Sequence, residues 1–117
     1  MKRFMAVYTG TKEGREKWQQ QDPEKRKAQE RKGMDAWMKW GKDHEDAIVE
    51  DGAPLGKTKR VSKDGIADTS NNLAAYTIVE ADSQEEAAKL FVNHPHFTIF
   101  PGDAVEIMEC LPMPTKH

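Results

Sequence analysis

The stretch Ser83-Gln84-Glu85-Glu86 constrains this chain more than any other. A serine followed three residues later by glutamate is a capping box, and it fixes the start of a short helix that carries Ala87, Ala88, Leu90 and Phe91. The apolar run Leu73 to Ala81 ends just before it, and the chain after Asn93 turns at His94-Pro95-His96. Pro95 stops the helix, because the residue before a proline is pushed out of helical backbone. Ala104 to Leu111 then alternates, with Val105, Ile107 and Leu111 on one face and Glu106, Met108 and Cys110 on the other. The last forty or so residues therefore read as strand, helix, histidine-bearing turn and strand.

The same logic works backwards along the chain. Phe4 to Thr9 is a short apolar run rich in Phe, Val and Tyr, which favours a strand covered on both faces. Glu13 to Gln21 is very polar and reads as a surface segment pinned by Trp18. Asp22-Pro23 supplies an N-cap and a proline suited to the first helical position. The helical period from there runs to about Glu50, ahead of Asp51-Gly52 and Pro54. Met34, Trp37, Met38, Gly41, Ile48 and Val49 share one side of it. Glu45 projects from that apolar arc and His44 lies at its edge, while Lys27, Glu30 and Arg31 occupy the same stripe upstream, so the first half overhangs the core. Gly41 has two readings, close backbone packing against a sheet or space left for a ligand. Leu55 to Ser62 reads as a strand, Lys63-Asp64-Gly65 as a turn, Asp68 to Asn72 as a polar loop, and Pro112 to His117 as a proline-punctuated tail.

The order is β-α-β-β-α-β over residues 1–117, a single domain of ferredoxin-like α+β class with an antiparallel sheet and its helices on one face. That leaves the second face bare, although the first and third strands read as covered on both sides. A second copy of the sheet is the economical cover, so a homodimer paired as a dimeric α+β barrel is expected. At 117 residues the core is modest, and such pairing helps to bury apolar surface.

Composition narrows the function. Charged residues make up 32% of the chain, yet the net charge is only −2. The basic clusters Lys25-Arg26-Lys27, Arg31-Lys32 and Lys57-Thr58-Lys59-Arg60 are short, and acidic residues flank the first two, so no nucleic-acid footprint is expected. No apolar run has the length of a signal peptide or membrane span, so no membrane partner is expected and a cytoplasmic setting is the simplest one. The single cysteine, Cys110, excludes an internal disulfide and reads as a small buried hydrophobe.

His94 and His96 are the strongest chemical candidates, since imidazole titrates near neutrality and moves protons. The alternative is a turn fixed by Pro95 in which each histidine bonds backbone. Two histidines are too few for a zinc site, which wants three protein ligands and a water. His44, Glu45, Asp103 or Glu106 would have to complete one, and no metal and no cofactor are expected. Gly52-Ala-Pro-Leu-Gly56-Lys57-Thr58 is one residue short of a phosphate-binding P-loop and follows a helix instead of preceding one, which argues against that role. Glu45, if buried on the apolar arc, would have a raised pKa suited to acid–base work. The expected site is thus His94, His96 and Glu45 as proton-transfer groups, with Trp37, Tyr76, His44 and Glu106 around a small-molecule ligand.

With these elements in order, the chain resembles the YCII-related family of the dimeric α+β barrel superfamily. The resemblance rests on M-K-R-F-M-A-V-Y at the start, W-M-K-W-G in the long helix, D-G-A-P-L-G-K-T-K-R-V after it, and Y-T-I-V-E-A-D-S-Q-E-E-A-A-K-L-F-V-N-H-P-H-F with V-E-I at the end. It implies a ferredoxin-like domain paired into a barrel, with a cleft between sheet and long helix. Similar barrels include muconolactone isomerase-like and dechlorinating enzymes and monooxygenases, which implies a lyase or isomerase working by proton transfer, or a non-catalytic ligand-binding or structural dimer. Some members use a His and Asp pair near the first strand and first helix. This chain has no histidine before His44.

Overall fold

The computed structural model describes residues 1–114. Four strands form one antiparallel sheet in the order β2-β5-β1-β6: β1 (Lys2–Gly10), β2 (Ile48–Pro54), β5 (Leu73–Ala81) and β6 (Gly102–Glu109). The long β1 takes the central place because its neighbours pair along both edges, Phe4 to Tyr8 opposite Val79 to Ala75 and opposite Glu109 to Val105. On one face lie α1 (Lys12–Gln19), α2 (Pro23–Asp43), α3 (Gln84–Lys89) and the single turn α4 (Pro95–Thr98). This is the expected ferredoxin-like arrangement, and the caps read from sequence are in place: Asp22 accepts from the Lys25 amide and Ser83 from the Glu86 amide. No helix among the described residues is long and apolar enough to cross a membrane.

Register explains the core. Phe4, Ala6 and Tyr8 of β1 share a face with Val79 and Ala81 of β5, and all are buried against Ala87 and Phe91 of the α3 segment. Trp40 of α2 closes this layer by donating its indole N–H to the Leu90 carbonyl at 2.7 Å. Trp18 of α1 is buried against Phe100, with ring centroids 5.9 Å apart, so the polar α1 is indeed pinned by its tryptophan. Gly33, which the sequence reading passed over, is the buried glycine of α2. A Cβ there would lie 2.5 Å from the Phe100 ring, so this is where the helix packs closest.

Three expectations need correcting. The long helix ends at Asp43, not near Glu50, and Ile48–Pro54 is the second strand of the sheet. Ile48 and Val49 fell on the helical arc by coincidence of spacing. Their β-branched side chains fit a strand, and the polar run from Asp43 to Asp46 breaks the helix before them. Leu55 to Ser62 is not a sheet strand: Thr58–Ser62 (β3) pairs with Gly65–Thr69 (β4) as a separate two-stranded hairpin, which also takes in part of the expected polar loop. Strand β6 stops at Glu109, so Cys110 is exposed and Leu111 is 74% exposed, neither serving the core. The expected tail falls outside the described residues beyond Pro114.

Candidate functional site

Tyr8 is the centre of an aromatic cluster between sheet and helices. Its ring lies 5.0 Å from Trp37, 5.1 Å from His94 and 5.2 Å from His96 by centroids. Strand alternation aims Tyr8 and Thr77 at the same face, and their hydroxyls meet at 3.0 Å. Thr77 spends its one proton on the Asp51 carbonyl at 3.1 Å, so Tyr8 is the donor to Thr77. Burial pushes the Tyr8 phenol up to about 12, which keeps it a neutral donor.

The His94-Pro95-His96 turn is positioned by Asn93, whose φ of 60° swings the chain from the α3 segment into α4. His94 then caps α4: its Nδ1 accepts from the His96 amide at 3.0 Å, which leaves the ring proton on Nε2. That Nε2 is buried with no hydrogen-bond partner. The ring instead stands on edge to two indoles, 4.5 Å and 89° from Trp37 and 4.6 Å and 70° from Trp40. Desolvation, with smaller contributions from His96 and His44, drops its pKa from 6.5 to about 3. His96 donates from Nε2 to the Thr9 carbonyl at 2.7 Å. Its pKa is also lowered by burial, against opposing pulls from Thr9 and Asp103. A Cβ on Gly102 would collide with the His96 ring and carbonyl, so the strand passes as close to this histidine as backbone permits. Both imidazoles are neutral, buried and locked.

Beyond Trp37 the helix and sheet part. A cavity of about 460 Å³ opens between Trp37, Trp40, Gly41, Glu45, Asp51 and Thr77. A second, of about 290 Å³, adjoins it between Tyr8, Met34, Trp37, Asp51, Pro54 and Thr77. Trp37, Asp51 and Thr77 border both, so the two form one cleft split by an indole. Gly41 has nothing within 4 Å of where its Cβ would be. Of its two readings, space in the cleft wall is the one the geometry matches.

The predicted site residues fall into three groups. His94 and His96 come together with Trp37 and Tyr8, but line neither cavity. Glu45 is exposed in the turn after α2 instead of buried on the helix, and it lines the larger cavity, which neither His94 nor His96 does. His44 is the C-cap of α2 and rests on Trp40 at 5.2 Å. Tyr76 and Glu106 belong to the opposite, open face of the sheet, where each is set beside Val7 by register. Tyr76 donates to Glu50 there at 3.0 Å, which raises its pKa, and Tyr76 also lines the smaller cavity together with Gly52 and Ala53. Sequence reasoning missed Tyr8, Thr77 and Asp51. Tyr8 read as one more apolar strand residue and Asp51 as a helix stop, and only the register brings them to one place. Among the described residues no three His, Cys, Asp or Glu side chains are grouped to hold a metal ion.

No protein-family model and no curated protein matches the chain. Among solved structures it is similar to 5-chloro-2-hydroxyhydroquinone dehydrochlorinase (TftG) from Burkholderia phenoliruptrix AC1100, in complex with 2,5-dihydroxybenzoquinone. The TM-score is 0.53 at 14% identity, over 91% of this chain and 90% of that one. At that identity the likeness is one of fold. The chain has a ferredoxin-like α+β fold with an antiparallel sheet, and the likeness singles out no family.

Proposed function

We propose that this chain binds a small, planar, oxygen-bearing molecule in the cleft around Trp37 and acts on it by proton transfer, as a lyase or isomerase. The observation that carries this is the open space beside Gly41, a glycine that lines the cleft and has nothing within 4 Å of its Cβ position. Trp37 offers a flat apolar surface, and the Tyr8–Thr77–Asp51 chain offers fixed polar atoms at its edge, the mix that orients a small ligand. The solved neighbour binds 2,5-dihydroxybenzoquinone, a molecule of that description. Glu45, which lines the cleft together with Asp51, takes the part of acid or base. His94 and His96, neutral and behind the aromatic layer, hold Trp37 and Tyr8 in place. A second copy of the chain covers the open face of the sheet and leaves this cleft, on the helix side, accessible.

Calorimetric titration with 2,5-dihydroxybenzoquinone and related hydroxylated rings tests the reading. Gly41→Leu should remove binding while raising stability, because leucine fills the cavity and replaces a helical glycine that costs about 1 kcal/mol against alanine. Glu45→Gln should keep binding and abolish turnover. Binding unchanged by Gly41→Leu would place the ligand elsewhere, and a ligand bound but never converted by the wild type would reduce the site to a binding module.

A further inference from the structure

A second concavity lies where the β3–β4 hairpin leaves the main sheet. Its volume is about 830 Å³, and it shares no lining residue with either Trp37 cavity. Its chemistry is different as well. Arg15, Lys57 and Lys59 line it against one carboxylate, Asp68, which is three positive charges to one negative in a chain whose net charge is −2. Lys59 and Asp68 pair with each other across the hairpin. Arg15 and Lys57 are in no ion pair among the described residues.

The two free cations arrive from separate elements. Arg15 reaches from α1 until its Nη1 lies 3.9 Å from where a Cβ of Gly10 would be, at the end of β1. Lys57 belongs to the segment that joins β2 to β3. The wall between them is tied down. Asn71 accepts from the Leu73 amide at 2.9 Å and donates to the Thr58 hydroxyl at 3.4 Å, and the Gly10 amide donates to the Asn72 carbonyl at 2.9 Å. Thr58, Thr69 and Ser70 add hydroxyls to the lining. Gly56 has nothing within 4 Å of its Cβ position, so the floor is open there to a close approach.

We propose that this concavity binds a small phosphorylated compound. Arg15 takes two phosphoryl oxygens with its planar fork, Lys57 adds a point charge from the opposite side, and the hydroxyls donate to the oxygens that remain. The P-loop likeness of Gly56-Lys57-Thr58 was discounted because no helix follows it. Here the charge comes from side chains on two elements, and no helix N-terminus is needed.

The test is calorimetric titration of the full chain with inorganic pyrophosphate, with citrate as a non-phosphate polyanion, at low and at physiological ionic strength. Pyrophosphate should bind at least about tenfold tighter than citrate, and Arg15→Gln and Lys57→Gln should each weaken it by about tenfold. Both residues are exposed, so neither variant threatens the fold. Lys25→Gln, at the start of α2 and outside the concavity, should leave affinity unchanged, as should Gly41→Leu in the other cleft. No binding, equal binding of citrate, or equal losses in Arg15→Gln and Lys25→Gln would overturn the assignment in favour of unspecific surface charge.

Discussion

His94 carries a measurable electrostatic signature. In the unfolded chain its pKa is the ordinary 6.5, and in the fold it is about 3, because protonation would place a charge among Tyr8, Trp37, Trp40 and Phe91. Between those two values the unfolded state binds a proton that the native state refuses, so stability rises with pH across the window. It is fully present above 6.5 and is lost as pH falls toward 3, at up to about 1.4 kcal/mol per pH unit for this one group. His96, lowered for the same leading reason, acts in the same direction. Asparagine at position 94 would still cap the His96 amide but cannot titrate. Urea unfolding of His94→Asn between about pH 7 and pH 5 should therefore show a curve that is lower throughout and flatter than the wild type. A parallel curve, offset but equally steep, would mean that His94 is not the refused proton site. The sequence made these two histidines stand out, but it could not say which way they face. Whether an imidazole after a helix meets solvent or an indole depends on residues at 8, 37 and 40, which spacing alone does not bring together.

Elements were more legible than residues where caps and alternation agreed, and less so where two periods competed. Asp22-Pro23 and Ser83-Gln84-Glu85-Glu86 gave correct helix starts because capping is a local interaction. The end of α2 was missed because Ile48 and Val49 satisfy a helical arc and a strand equally well, and the sheet decides between them through β5. The β3–β4 hairpin was hidden for a related reason. Its residues are nearly all exposed, so no hydrophobic face marks it, and Val61 and Ile66, paired across its strands, are each 74% exposed. A lone two-stranded ribbon contributes little to a core. Replacing Thr58–Thr69 with a short Gly-Ser link should leave the thermal midpoint of the remaining domain unchanged within a few degrees, while pyrophosphate binding disappears. A large fall in the midpoint would show that the hairpin supports the main sheet after all.

At the scale of the whole molecule the unusual property is thinness. The principal extents are 59 × 43 × 18 Å, and the radius of gyration is 16.5 Å, where about 13 Å suits a compact domain of this length. Eighteen ångströms is one sheet and one layer of helices, with nothing among the described residues on the other side. The projecting hairpin accounts for part of the extent, but the uncovered sheet face accounts for the flatness. Register puts Met5 opposite both Ile78 and Met108, and Val7 opposite Tyr76 and Glu106, on that face. Glu106 is the one acidic residue in this middle stretch, and Arg3 and Glu80, neighbours in register, pair at its end at 3.8 Å. This is why β1 and β5 read from sequence as apolar on both sides, and it is the reason for proposing that a second copy packs sheet to sheet. Light scattering at micromolar concentration should give twice the 13.3 kDa chain mass. Val7→Glu adds a second carboxylate beside Glu106 in the middle of that contact, where like-charge repulsion and desolvation disfavour pairing, and the mass should fall to that of one chain. The monomer should keep the stability slope that His94 confers, since the aromatic cluster lies on the other side of the sheet. A wild type that is already monomeric would refute the paired barrel. A Val7→Glu protein that stays dimeric would move the contact to another surface, for which the exposed Val61 and Ile66 of the hairpin are the next place to substitute.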